Sequence, residues 1–300
     1  MFSVDELDRN ICIQGVPNSS GALALLEYFN SANENLIYVL NTNDEINQCY
    51  SSIKFINKSI KVAKLHEWDC PYYDNFGPSR SVKASRINNI IKLNKYIQNN
   101  KRFILITTAN SILQKFQDFV TYKEKKIEVN DNILYSELLR YIENVGYEKV
   151  DNVIEVGTYA NRGGIIDIFS PNYNYPIRLD FFGDSIDSIR YFNFQNQKTI
   201  QSADSISLYP FSEIYFFEEN INNFRRSYIY NFKRMQKDYI YESVTSGVRV
   251  SGLEQYLPLF FEKLDTLENI IPNSRVVLSE ASKFEADIII QNVKEVYDYK

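Results

Sequence analysis

Between Asn152 and Leu208 the sequence changes texture and becomes a series of short strand-like runs separated by turns. The runs are Val153 to Val156, Gly164 to Phe169, Pro176 to Phe182, Ser185 to Phe194 and Ser205 to Leu208. Between them lie the turn signals Arg162-Gly163-Gly164, Pro171-Asn172 and Gly183-Asp184, which is the spacing of an antiparallel sheet. On either side the pattern is different. Leu36 to Leu40, Ile60 to Leu65 and Phe103 to Thr107 are short apolar β-branched runs set between longer polar-apolar segments. One of those segments, Ser85 to Ile97, repeats Ile or Leu at Ile87, Ile90, Ile91, Leu93 and Ile97, close to helical spacing. Strands alternating with helices predict a largely parallel sheet of α/β type.

A charged break at Lys123-Glu124-Lys125-Lys126 precedes an amphipathic helix from Ile133 to Val145, with Gly146 as its C-cap. After Pro210 the alternation returns as a helical stretch around Glu219 to Glu242, a break at Pro258, a strand Arg275 to Leu278 and a helix from Glu280. The expected organisation is therefore an α/β part over residues 1–125, an inserted small α+β domain with an antiparallel sheet over 126–210, and a second α/β part over 211–300. The chain stops in Val293-Lys294-Glu295-Val296-Tyr297 without a helix stop signal, as expected of a fraying terminus or of a fragment of a longer protein.

Composition narrows the function classes. Lys and Arg total 33 against 38 Asp and Glu, a net charge of −5, which argues against gripping duplex DNA mainly through phosphates. Cys12, Cys49 and Cys70 are too few and too scattered for a disulfide framework or a zinc site, and read as ordinary thiols in a reducing cytoplasm. The acidic N-terminus lacks the basic region of a secretory signal, and no run approaches the ~18 apolar residues of a membrane span. A soluble cytoplasmic protein is expected.

Three stretches carry candidate chemistry. Gly15-Val16-Pro17-Asn18-Ser19-Ser20-Gly21-Ala22-Leu23 has the outline of a phosphate-binding loop running into a helix. A working loop needs Gly-x4-Gly-Lys-Ser/Thr, whose Lys reaches the outer phosphates and whose hydroxyl holds Mg²⁺. Here the spacing is one residue too long, and Ala22 and Leu23 replace those two residues, so the loop is read as structural. His66-Glu67-Trp68-Asp69 to Phe76 places the only His and only Trp beside carboxylates. One imidazole with no nucleophile and no second imidazole supports neither a triad nor a metal site, so packing is expected there. In the third stretch, Arg162 precedes two glycines on a sharp turn. Strand alternation then puts Ile177, Leu179 and Phe181 on the core face and Arg178, Asp180 and Phe182 on the other. A guanidinium, a carboxylate and a phenyl ring together suit a protein-binding hot spot; a solvated face with cross-strand ion pairs suits the same pattern equally well.

The run Arg162-Gly163-Gly164-Ile165-x-Asp167-Ile168-Phe169, then Pro176-x-Arg178-Leu179-Asp180-Phe181-Phe182-Gly183-Asp184-x-Ile186-Asp187-Ser188-Ile189-Arg190, resembles UvrB and the transcription-repair coupling factors (Mfd). Weaker likeness covers the Gly15 loop, the Trp68 to Pro78 segment, Gly146 to Asp151 and Leu208-Tyr209-Pro210. The absent Walker Lys, and the lack of room for a damage-wedging hairpin between Pro78 and Arg86, favour the UvrB-like N-terminal module of the coupling factors over UvrB. The resemblance implies a degenerate helicase-like, P-loop-type domain split by a UvrA-binding domain, with Arg162, Arg178 and Phe182 as the UvrA-binding residues. It implies an adaptor with no catalytic, cofactor or metal site in this segment, in a parent protein whose downstream motor uses ATP and Mg²⁺ and meets RNA polymerase and duplex DNA. An autoinhibitory clamp on that motor is the alternative, and a damage-recognising UvrB-type ATPase fragment a weaker one. Arg86 is expected to brace the fold.

Overall fold

The structure, a computed structural model, describes residues 21–72, 75–232 and 238–299. Its elements begin with α1 (Gly21–Ser31), β1 (Asn35–Leu40), α2 (Asn43–Ile56), β2 (Lys61–Leu65), α3 (Arg80–Gln98), β3 (Phe103–Thr108) and the single turn α4 (Ala109–Ile112). Then come β4 (Lys125–Glu128), α5 (Tyr135–Asn144), β5 (Glu148–Lys149), β6 (Thr158–Arg162), β7 (Ile165–Ile168), β8 (Ile177–Phe182), β9 (Ser185–Phe192), β10 (Thr199–Ala203) and β11 (Ser205–Leu208). The chain closes with α6 (Glu218–Phe232), α7 (Tyr239–Thr245), α8 (Leu267–Ile270), β12 (Ser274–Leu278) and α9 (Glu280–Tyr299).

Two compact units result: one takes the chain up to Glu67, Lys92–Phe116 and Asp265 onward, the other Trp68–Ile91 and Gln117–Leu264. The first is built on a parallel sheet in the order β12-β1-β3-β2, so a strand from the far end of the chain completes the sheet begun before the antiparallel region. Leu36, Ile37, Val39 and Ile104 to Ile106 are fully buried, as central parallel strands covered on both faces must be. Helix α2 starts where the side chain of Thr42 accepts from the Glu45 N–H while Glu45 accepts from the Asn41 N–H, leaving few end donors unpaired.

The second unit holds a six-stranded sheet in the order β10-β9-β8-β7-β6-β5, antiparallel except for β5 on β6, and a separate antiparallel pair, β11 with β4. One face of the large sheet is packed into a core with Leu138 and Ile142 of α5 against Ile166, Ile168, Ile177, Leu179, Ile186 and Ile189. Helix α5 stops as its sequence requires: Gly146 takes φ 104°, its N–H bonds the Glu143 carbonyl and the Tyr147 N–H reaches back to Ile142. A side chain at that position would also collide with Ser212, whose Cβ lies 2.4 Å from where a Gly146 Cβ would be.

Three local expectations differ from the structure. Val153 to Val156 form no strand; Val153 is buried with Ala160, Phe169 and Phe192, and Val150, Val156 and Phe194 pack around them, so the segment serves as an apolar plug. The stretch from Glu219 to Glu242 is two helices, the second started by Asp238, whose carboxylate accepts from the Ile240 and Tyr241 N–H groups. The charged Lys125–Lys126 break is itself strand: β4 pairs with β11 because Ile127 and Ile206 are both buried.

Arg86, on α3, is completely buried. Its Nε and Nη2 donate to the Glu213 carboxylate at 2.5 and 3.1 Å, and its guanidinium lies 5.2 Å from the Trp68 ring centroid. The Trp68 indole N–H donates to the same carboxylate at 3.3 Å, and the Gln117 side-chain amide donates to the Glu213 carbonyl at 2.9 Å. Four stretches of the second unit thus meet on one neutralised pair. Removing one partner from such a pair leaves an uncompensated buried charge, which typically costs about 3–5 kcal/mol. Arg86→Leu is therefore expected to lower the unfolding free energy by about that amount, with much of the loss recovered in Arg86→Leu/Glu213→Leu, as read by urea denaturation. Equal stability of Arg86→Leu and wild type would rule out the bracing role.

Candidate functional site

The face of the six-stranded sheet that turns away from α5 is organised in rows. Cross-strand register places Ala160, Asp167, Arg178 and Arg190 opposite one another on β6, β7, β8 and β9, and the next row holds Arg162, Ile165, Asp180 and Ser188. Period-two alternation sends the Ile and Leu residues between them to the core. Asp167 and Arg178 form a bidentate pair, Nε to Oδ1 and Nη2 to Oδ2 at 2.7 Å each. Asp167 is nearly buried, at 6% side-chain exposure, and Arg178 at 22% lies over the Phe192 ring, 4.6 Å from its centroid. These contacts hold the Arg178 guanidinium in its charged form, its pKa raised first by the hydrogen bonds to Asp167. Asp180 pairs with Arg190 on β9 and accepts from the Ser188 hydroxyl at 2.5 Å.

Two tight hairpins end this face. Arg162 pairs with Ile165 across Gly163-Gly164, and Phe182 pairs with Ser185 across Gly183-Asp184. Two-residue hairpin loops need positive φ where the strands turn, and Gly183 supplies it at 63°. Arg162 reaches back from its hairpin to donate from Nη2 to the Asp151 carbonyl and the Asn152 side chain. Phe182 is 83% exposed, while its neighbour Phe181 turns inward and meets Tyr135 edge-on, ring centroids 5.1 Å apart. The result is an exposed ring at the end of a surface whose charged side chains are already held in place.

Both readings of this face that the sequence left open find contacts here: Arg178, Asp180 and Phe182 share a face, and the two charged members are cross-strand paired and half-buried. The pairing leaves unengaged the Nη1 edge of Arg178, the remaining donors of Arg162 and most of the Phe182 ring. The sequence reading missed Asp167, Arg190, Phe192 and Asn152. Asp167 interrupts the apolar run Ile165-Ile166-Asp167-Ile168, which marks it as outward-facing, but the long β7–β8 connection hid its register with Arg178.

The other candidates do not assemble a site. Of the loop, Gly15 to Ser20 lie outside the described residues; Gly21 opens α1, Ala22 is buried against the parallel sheet's core and Leu23 is exposed. His66 lies 3.3 Å from the Asn47 side-chain oxygen, Trp68 stacks on Arg86, and Asp69 accepts from the Ser79 N–H; Tyr73 and Asp74 lie outside the described residues. Burial pushes the Glu67 carboxyl up, partly offset by hydrogen bonds from Thr108 and Asn110. Cys49 is a thiol pushed up to about 12 by burial, Cys70 is in no disulfide and accepts from the Gln255 side-chain amide at 4.0 Å, and Cys12 lies outside the described residues. Among the described residues no cluster of His, Cys, Asp and Glu has metal-binding geometry, and no helix is long and apolar enough to cross a membrane.

Residues 126–225 match the family described as the UvrB interaction domain. The chain is 28% identical over 284 residues to the transcription-repair-coupling factor of Haemophilus influenzae, covering 93% of this chain and 24% of that protein. It is 29% identical over 238 residues to the coupling factor of Escherichia coli, covering 76% and 20%, and 27% identical over 223 residues to that of Bacillus subtilis, covering 68% and 19%. The chain thus spans about a quarter or less of the length of these relatives. The resemblance to an N-terminal, UvrB-like module of the coupling factors holds along most of the chain.

Exposure separates the roles of Phe182, at the end of the face, and Asp167, within it. Phe182→Ser is expected to leave the unfolding free energy within about 0.5 kcal/mol of wild type, whereas Asp167→Ala, which strips Arg178 of its buried partner, should cost roughly 1–3 kcal/mol. Urea melts of the two variants check this; a large loss in Phe182→Ser would mean that the ring is structural.

Proposed function

We propose that this chain is a non-catalytic adaptor of transcription-coupled nucleotide excision repair, which recruits UvrA through the outer face of its antiparallel sheet. The observation that carries this reading is the 83% exposed Phe182 ring at the end of a face that also carries two guanidinium groups, whose positions are set by Asp167, Asp151 and Asn152. An exposed aromatic side chain contributes most to binding when it enters a partner's apolar pocket, and arginines contribute when a carboxylate meets the free edge of the fork. Here the entropy of fixing Arg178 is already lost on folding, so less is lost on binding. The match of residues 126–225 to the UvrB interaction domain and the similarity to coupling factors supply the biological setting. In that reading residues 126–210 are the UvrA-binding domain, and the α/β parts before and after it form a degenerate helicase-like, P-loop-type domain.

The chain hydrolyses no ATP in this reading, because Ala22 and Leu23 occupy the positions of the phosphate-binding Lys and the metal-binding hydroxyl. ATP, Mg²⁺, RNA polymerase and duplex DNA are assigned to other domains of a longer coupling factor, and the module works in the cytoplasm.

Calorimetric titration of UvrA with the 300-residue chain tests the reading. Phe182→Ala and Arg162→Ala, neither of which strands a buried charge, are each expected to weaken binding by tenfold or more, since hot-spot truncations cost ~2 kcal/mol. Wild-type protein without affinity for UvrA, or variants that bind as tightly as wild type, would overturn it.

A further inference from the structure

The chain is acidic overall, yet its charge is strongly segregated. Although 38 of the 300 residues are Asp or Glu, none occurs in residues 46–66 or in residues 92–116. Those two stretches lie in the unit built on the parallel sheet. There, Lys54 and Lys58 come from α2 and its exit, Lys61 and Lys64 from β2, and Lys92 from the second half of α3. Strand β2 is the edge of the parallel sheet among the described residues.

The ammonium groups of Lys54, Lys61, Lys64 and Lys92 form one cluster, and Lys58 is exposed in the segment between α2 and β2. Burial, and then the charges of Lys54, Lys64 and Lys61, pull the Lys92 ammonium below the usual lysine range, and burial followed by the charge of Lys61 does the same to Lys54. Lys64 and Lys92 both lie over the Tyr50 ring, at 4.9 and 5.8 Å from its centroid. Among the described residues no carboxylate lies within ion-pair distance of Lys54, Lys58, Lys61 or Lys92. Glu27 lines the neighbouring cleft with Ile56 and Asn57 and pairs with none of them.

Guarding the sheet edge accounts for part of this arrangement. Lys54 donates to the Ile60 carbonyl at 2.6 Å and Lys92 to the Val62 carbonyl at 2.7 Å, and edge strands are commonly defended by lysine. A carbonyl needs only a donor, however, which an amide or hydroxyl supplies without charge. Four mutually repelling cations, in a chain otherwise rich in carboxylates, are stabilised by an anion bridging them. Lys54 and Lys92 each keep N–H groups beyond those used on carbonyls.

We propose that the face formed by α2, β2 and the second half of α3 binds the phosphodiester backbone of a nucleic acid. Lysines act on phosphate as point charges without the geometric demand of an arginine fork, which fits a repeating backbone better than a single carboxylate. Phe55, 90% exposed on α2 beside Lys54, adds a ring on which an unpaired base can stack. The net charge of −5 argues against general adhesion to nucleic acid, and does not bear on a local cluster.

The test is fluorescence anisotropy of a labelled 20-base-pair duplex, the matching single strand and a labelled polyglutamate peptide with the whole 300-residue chain, at several salt concentrations. Binding to either nucleic acid is expected to weaken with salt, with a slope of log affinity of about −2 or steeper, at 0.7–0.9 per phosphate contact. Lys58→Gln/Lys61→Gln/Lys64→Gln should weaken it at least tenfold at 50 mM salt. Lys115→Gln/Lys123→Gln/Lys294→Gln, equal in net charge, should stay within twofold, and Lys61→Gln alone, at an exposed position, should cost severalfold if the triple variant melts early. No nucleic-acid binding by wild type, equal losses in both triple variants, or binding confined to polyglutamate would overturn the proposal. None of these results depends on affinity for UvrA.

Discussion

The second unit is organised around a charge pair that is almost wholly buried. Arg86 and Glu213 are each too costly to bury alone, and together they set where α3, Trp68, Gln117 and the segment leaving β11 converge. A buried pair of this kind contributes more to placing its elements than to net stability, since well-packed apolar residues of similar volume would be about as favourable. Its position follows from the chain: Glu213 lies a few residues beyond the last strand of the antiparallel region, so the pair fixes the exit of that region against the helix that precedes it. The Gly146 turn, closed over Ser212, holds the end of α5 to the same segment. The sheet therefore starts from a defined frame, and its outer face inherits that definition.

On that outer face the same chemistry is used at partial exposure. Asp167 with Arg178 and Asp180 with Arg190 link three adjacent strands through their side chains, in addition to the backbone ladder. Such pairs on a solvent-facing sheet give little stability. They do fix rotamers, and a face whose arginines are held before a partner arrives loses less conformational entropy when the partner binds. Phe182 stands apart from this order, on a two-residue hairpin where the core has no use for it. The pattern suits the proposed recognition surface, with one large apolar contact.

How far the sequence revealed this depends on which physics wrote each feature. The apolar runs of β1, β2 and β3 and the Gly-marked hairpins at Gly163 and Gly183 were legible because backbone propensity and burial act locally. Arg178, Asp180 and Phe182 were placed on one face correctly because alternation needs no knowledge of the partner strand. Register was not legible: the bidentate Asp167–Arg178 pair depends on a connection too long to set pairing by turn type. The Val153–Val156 segment looked like a strand because its apolar residues are β-branched, and burial as a plug satisfies them equally well. Net charge is silent on local patches in another way, because it averages over a chain that contains two long stretches without carboxylates.

The central claim is that the outer face of the antiparallel sheet receives a protein partner at Phe182. Site-specific photo-crosslinking addresses it directly: a benzophenone amino acid at position 182, and in a parallel protein at the equally exposed Tyr230 of α6, is irradiated with purified UvrA. The account predicts a crosslinked adduct from position 182 and none from position 230. Adducts from position 230 alone, or from neither position under conditions where the proteins co-purify, would contradict it.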